Sequence, residues 1–249
     1  MKKKSKIVRM VKVADKSKGV ARVSTGISGF DSLIGGGLVS NSINLVMGNA
    51  GAGKTTFLLQ FLYNGATKHG ENGLYVSFES EVKDLQDAAE LRGMSFSKLE
   101  SDKKCFIIKV EPDVCINELG KKLMEFVVRN NIQRLCFDPI NVFALSNKQG
   151  NVRKLVYDLV TMFKKLGICV IIAGESEESE SISPSEEVVF CKYLVDGVIE
   201  IYSSGIGGEG DRALRVSKMR MTNHFRGPVG MKLDDKGISV LSDKSMGKK

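Results

Sequence analysis

The feature that most constrains this chain is an eight-residue run, Gly48-Asn49-Ala50-Gly51-Ala52-Gly53-Lys54-Thr55, which satisfies G-x-x-x-x-G-K-[ST] at every fixed position. A loop so rich in glycine can turn its backbone N–H groups inward around a polyphosphate with no Cβ in the way. Lys54 adds a point charge. Thr55 opens the helix that should follow, where the macrodipole favours anions and a hydroxyl can ligate a Mg²⁺ bridging two phosphates. These eight residues and Thr56 are the candidate nucleotide-binding set. An incidental glycine-rich turn with a stray lysine would lack the flanks seen here. Asn44-Leu45-Val46-Met47 alternates as a buried strand would, and Phe57, Leu58, Phe61 and Leu62 form the stripe of a core-facing helix.

Downstream, strand-like apolar runs (74–78, 105–110, 134–138, 168–173) alternate with periodic helices (81–92, 116–130, 151–166). The helices show in their spacing: Val152, Leu155, Val156, Leu159, Val160 and Phe163 in one, Ile116, Leu119, Leu123 and Phe126 in another. Such alternation requires crossover connections, so the expected fold is α/β with a mainly parallel central sheet flanked by helices. The last third changes character. Strands near 197–202, 213–219, 229–233 and 238–241, separated by turn clusters at 204–210 and 234–237, predict a C-terminal antiparallel β extension. Upstream of the loop, a short helix is expected around 29–34, ended by Gly35, Gly36 and Gly37.

A chain of 249 residues with 42% hydrophobic and 27% charged content suits one sizeable core. No run approaches a membrane span and no leader peptide is legible, so a cytoplasmic protein is expected, without a membrane partner. Five cysteines without a C-x-x-C pair read as reduced core residues, and two histidines are too few for a metal site of their own. The net charge is +8, but residues 1–18 hold eight lysines or arginines and one aspartate, and 242–249 three lysines and one aspartate. Those two segments are expected as basic tails, solvated or anchoring an acidic partner, around one domain at 19–241 that is close to neutral. A near-neutral body disfavours nucleic acid as the partner.

Hydrolysis would need a metal-orienting carboxylate and a group that positions water. Arg134-Leu135-Cys136-Phe137-Asp138 ends an apolar strand on an acid, which in a parallel sheet lands at the carboxyl edge beside the phosphate loop. Asp138 is thus the candidate for the Mg²⁺ shell, with capping of the next turn as the alternative. Glu79 follows Leu74-Tyr75-Val76-Ser77-Phe78 at the same edge and is the candidate to activate water, although Glu79, Glu81 and Asp84 could also serve a helix N-terminus. Lys218 and Arg220, two apart on a predicted strand, share a face that is either solvated or meets a phosphate. The acidic stretch from Gly174 to Glu187 reads as a solvated loop.

Ser24-Thr25-Gly26-Ile27-Ser28-Gly29-Phe30-Asp31, Gly35-Gly36-Gly37, the phosphate loop, Gln60-Phe61-Leu62-Tyr63-Asn64-Gly65-Ala66, Tyr75-Val76-Ser77-Phe78-Glu79, Asp196-Gly197-Val198-Ile199 and Lys218-Met219-Arg220 together resemble the KaiC family of RecA-type ATPases, in its single-domain archaeal form. The resemblance spans roughly residues 22–240. It implies a RecA-like P-loop core that binds ATP and Mg²⁺ and forms a homo-oligomeric ring, expected as a hexamer, with ATP at the subunit boundaries. It also implies Glu79 as the water-activating group, Asp138 as the strand-ending acid, and Lys218 and Arg220 as catalytic residues reaching the neighbour's γ-phosphate.

Three departures qualify what the resemblance implies. Family members usually carry a second Glu where this chain has Ser80, and Ser or Thr where it has Pro139, so turnover is expected to be slow or to depend on Glu79 alone. No Ser or Thr occurs from Val188 to Val195, near where two-domain clock members carry phospho-acceptors, so no such autophosphorylation is expected. The leading expectation is an ATPase acting as a nucleotide-dependent, ring-forming regulator of an unidentified protein partner. Alternatives are a DNA-handling RecA paralogue and an ATP-binding signalling module with little turnover, of the archaellum RecA-like type.

Overall fold

The computed structural model describes residues 19–147, 151–176, 185–203 and 211–241. The two basic tails, the turn cluster at 204–210 and residues 177–184 of the acidic stretch lie outside the described residues. The elements in order are β1 (Arg22–Val23), α1 (Phe30–Leu33), β2 (Leu38–Val39), β3 (Ile43–Gly48), α2 (Lys54–Asn64) with a π-helical turn at Gly65–His69, β4 (Asn72–Ser77), α3 (Val82–Glu90), α4 (Phe96–Ser101), β5 (Cys105–Lys109), α5 (Ile116–Arg129), β6 (Ile132–Asp138), α6 (Ile140–Ser146), α7 (Val152–Leu166), β7 (Cys169–Glu175), α8 (Glu186–Leu194), β8 (Gly197–Ser203), β9 (Arg212–Met219), β10 (Pro228–Asp234) and β11 (Gly237–Val240).

A nine-stranded sheet in the order β11-β10-β9-β8-β3-β7-β6-β4-β5 runs through the molecule. From β8 to β5 every pairing is parallel, whereas β8–β9, β9–β10 and β10–β11 are antiparallel. This is the expected mainly parallel core with an antiparallel extension. One expectation needs correction: β3 does not alternate, because all six of its residues are buried, as befits a central strand covered on both faces. Two apolar layers cover it, one built around Phe57, Phe61 and Tyr75 with α2, the other around Phe137, Phe143 and Phe163 with α5, α6 and α7. All five cysteines are free and four are buried. Among the described residues no helix is long and apolar enough to cross a membrane.

Two devices brace the helix that leaves the phosphate loop. Asp31 accepts hydrogen bonds from Ser24 Oγ, Thr25 Oγ1 and the backbone N–H groups of Thr25 and Gly26, knotting the segment ahead of α1. That knot presents Thr25 O to Asn64 Nδ2 and sets the Phe30 ring edge-on to Phe57, at 5.3 Å between centroids, so both ends of α2 are held. On the other flank, Gln60 bonds Ile238 twice, its amide N–H to the carbonyl and its carbonyl to the backbone N–H, which fixes the β10–β11 hairpin to α2.

Phe137 directly precedes Asp138 and its ring packs against those of Phe78, Phe143 and Phe163. It is fully buried. Phe137→Ala should therefore lower the free energy of unfolding by about 3–5 kcal/mol, measured by urea denaturation. A loss below about 1 kcal/mol would mean that this ring cluster does not hold the strand ends carrying Asp138 and Glu79.

Candidate active site

Four parallel strands end together at the carboxyl edge of the sheet. Gly48 on β3 stands opposite Glu175 on β7, and Asp138 on β6 stands opposite Ser77 on β4, with Glu79 two residues further on. The chain after β3 must reverse into α2 in a few residues, and glycine makes that possible. A Cβ at Gly48 would lie 2.1 Å from the Ile201 carbonyl, and Gly53, which caps α2, has φ 110°. Gly53 offers no side-chain cap, so the first-turn amides of α2 are left to whatever anion approaches. Asn49 Nδ2 ties the loop to Ser203 O at 3.0 Å.

These elements enclose a cleft of about 330 Å³, lined by phosphate-loop residues including Lys54, Thr55 and Thr56 and by Glu79, Ser80, Asp138 and Glu175. Lys54 is only 8% exposed; its Nζ donates to Gly48 O at 2.9 Å and Asn49 O at 3.0 Å and lies 3.7 Å from Glu175 Oε1. Thr55 Oγ1 donates to Asp138 Oδ2 at 3.3 Å, and the Tyr75 hydroxyl donates to the same oxygen. Asp138 does not cap α6, whose N-cap is Pro139 with no side-chain bond. Burial pushes the Asp138 carboxyl above its usual value, a shift opposed by the Tyr75 hydrogen bond, the Lys54 charge and Thr55. Burial likewise pushes the Tyr75 hydroxyl well above its own ordinary value, with the Asp138 charge adding to it.

The three acids after β4 separate by position. Glu81 pairs with Lys109 and Asp84 lies in the first turn of α3, whereas Glu79 faces the cleft. Among the described residues no three His, Cys, Asp or Glu side chains gather to hold a metal. A hydroxyl beside one carboxylate, as at Thr55 and Asp138, suits instead a hard cation such as Mg²⁺ that takes its remaining oxygens from phosphates and water. The donor set therefore fits a Mg²⁺-bound nucleoside polyphosphate. Two cleft residues escaped sequence reasoning. Glu175 reads as part of a solvated loop but ends β7, and Arg92 lines the cleft with Nη1 on Ala88 O and a buried Nε that has no hydrogen-bond partner among the described residues.

Lys218 and Arg220 are not brought to this cleft. Lys218 pairs with Val198, which pairs with Leu45, so it lies three residues below Gly48, roughly 10 Å along the strands, and two strands to the side. Its Nζ donates to Lys192 O at 2.9 Å and Tyr193 O at 3.1 Å at the end of α8, and burial, followed by the nearby Arg220 charge, lowers its pKa. Arg220 lies one residue beyond β9 rather than on it, half exposed, with Nη1 3.2 Å from Asp196 Oδ1. Lys218 thus turns to the end of α8 and Arg220 to Asp196, while Met219 between them is buried; both cations lie toward the amino edge of the parallel strands.

A family model described as "ATPase: KaiC" matches residues 23–245. Circadian clock oscillator proteins KaiC from Synechococcus elongatus and a Nostoc species are 30% and 29% identical over 89% and 90% of this chain, which spans 44% of the length of each. The crystal structure of a KaiC-like protein from the archaeon Pyrococcus horikoshii superposes with a TM-score of 0.78 at 28% identity, covering 90% of this chain and all of that one.

The Asp138 environment makes a stability prediction. Its folded pKa lies above the unfolded value of about 3.9, so the folded state binds the proton more tightly and ionisation costs stability. The cost is absent at pH well below 4, grows as pH rises through the raised value, and is complete above it. Without Mg²⁺ or nucleotide, Asp138→Asn should therefore melt at a higher temperature than the parent at pH 7, with the gap closing on acidification. A variant that melts lower at pH 7 contradicts this account of the carboxylate.

Proposed function

The chain belongs to the KaiC family of ATPases, and from that membership we propose that it binds ATP with Mg²⁺ in this cleft, hydrolyses it, and works as a nucleotide-dependent, ring-forming regulator of a partner protein. The observation that carries the reading is the convergence of Lys54, Thr55, Asp138 and Glu79 on one cleft at a single sheet edge. Lys54 neutralises charge on the β and γ phosphates; Thr55 and Asp138 hold the Mg²⁺, and Tyr75 orients the Asp138 carboxylate. Glu79, clear of the helix-terminal acids, accepts the proton of the attacking water. The metal, when bound, supplies Lewis-acid polarisation of the phosphoryl oxygens. With Ser80 beside it, Glu79 stands as the one carboxylate of the usual pair, so turnover is slow.

The amino-edge position of Lys218 and Arg220 supports the ring. They stand too far from their own phosphate loop to act there, and a head-to-tail contact would set this face against the next subunit's cleft. Asp196 holds Arg220 at a half-exposed position, so the contact is exchangeable. A hexamer is the ring we propose.

Lys54→Ala should abolish ATP binding, read by a fluorescent nucleotide, because the loop amides remain but the cation is gone. Glu79→Gln should keep ATP affinity and lose phosphate release, since the carboxamide keeps the shape without the base. Retained affinity in the first variant sinks the nucleotide site; undiminished turnover in the second moves the base elsewhere.

A further inference from the structure

Glu175 is a cleft residue that the family resemblance leaves without a role, and its surroundings are built to hold it. β7 runs directly beside β3, so Glu175 emerges next to Gly48. The largely buried Asn141 accepts from the Glu175 backbone N–H through Oδ1 at 2.7 Å. Its Nδ2 reaches Glu175 O at 3.4 Å, Ser185 Oγ at 2.8 Å and Glu187 Oε1 at 3.0 Å. On the following residue, the Ser176 N–H donates to Gly48 O, the carbonyl that also accepts from Lys54. The Glu175 backbone is thereby locked at the strand end, while its side chain, 48% exposed, points its carboxylate at Lys54.

An ammonium has three N–H groups to give. Lys54 directs two at Gly48 O and Asn49 O and faces Glu175 on its remaining side. A polyphosphate in the cleft requires the same ammonium and brings several negative charges up to the same carboxylate. We propose that Glu175 sets the nucleotide preference of the site by competing with the terminal phosphates for Lys54. The proposal rests on the reading of the cleft as an ATP site. Its consequence is that Glu175 opposes binding, and opposes ATP more than ADP, because the γ-phosphate adds charge nearest to it.

The test is the equilibrium affinity of the full chain for Mg²⁺ with ATP and with ADP, in the parent and in Glu175→Gln. The side chain is exposed enough that the variant should fold, which its melting temperature verifies. Glutamine keeps the shape and removes the charge. ATP affinity should rise about threefold or more, ADP affinity by less, and the gain should shrink as salt is raised, since a half-exposed charge is screened. Unchanged or weakened ATP affinity overturns the proposal, as does an equal gain for both nucleotides. A parent that binds no ATP would instead overturn the nucleotide site itself, so the two failures are distinguishable.

Discussion

An ammonium group that is nearly buried has to be surrounded by oxygen, and Lys54, at 8% exposure, is the residue around which the strand ends are gathered. Two carbonyls of its own loop meet it directly, and the Glu175 carboxylate faces it from the adjacent strand. That arrangement requires the loop to reverse tightly enough for Lys54 to point back at Gly48, which glycine at 53 permits and the close pass of Gly48 against Ile201 enforces. Parallel strands supply the rest. Because their carboxyl ends lie side by side, Asp138 and Glu79 arrive at the same edge without any loop having to be long.

The bracing around α2 follows from the same need. A loop whose amides await an anion stays in place only if the helix behind it is fixed, and here it is fixed on two flanks. The Ser24 to Asp31 knot does this through Asn64 and Phe57, and the C-terminal hairpin through Gln60. Sequence stretches far from the phosphate loop, at both ends of the described chain, thus act on the site through packing rather than chemistry. The antiparallel extension is part of the site's scaffold.

Legibility tracked the physical signal in each segment. Strands that end on an acid after a buried run, at Asp138 and Glu79, could be read because parallel topology dictates where such an acid goes. Glu175 carries the same signal after Ile171-Ile172-Ala173-Gly174, but the acids that follow it make the strand end read as a loop. The helices that escaped notice lack periodic contrast. α6 is apolar nearly throughout, α8 mixes Val188, Val189, Phe190 and Cys191 on all sides, and α4 is six residues long. Arg92 carried no signal at all, since only tertiary folding brings the end of α3 to the cleft. The reverse holds for Lys218 and Arg220, whose spacing was legible but whose distance from the phosphate loop depends on strand order.

That distance bears on the central claim, that the cleft is completed by a cationic strand end from a neighbouring subunit. Mixing is the most direct measurement. Glu79→Gln and Arg220→Ala subunits, each expected to be inactive alone if the proposal holds, are combined under conditions where mixed rings are shown to form, and phosphate release is followed. Boundaries that pair an intact Glu79 with an intact Arg220 should then recover hydrolysis, because a guanidinium acting in trans stabilises the charge on the transferred phosphoryl group. Mixed rings as inactive as either parent would contradict the shared site and leave Lys218 and Arg220 as a solvated face tied to Asp196 and the end of α8.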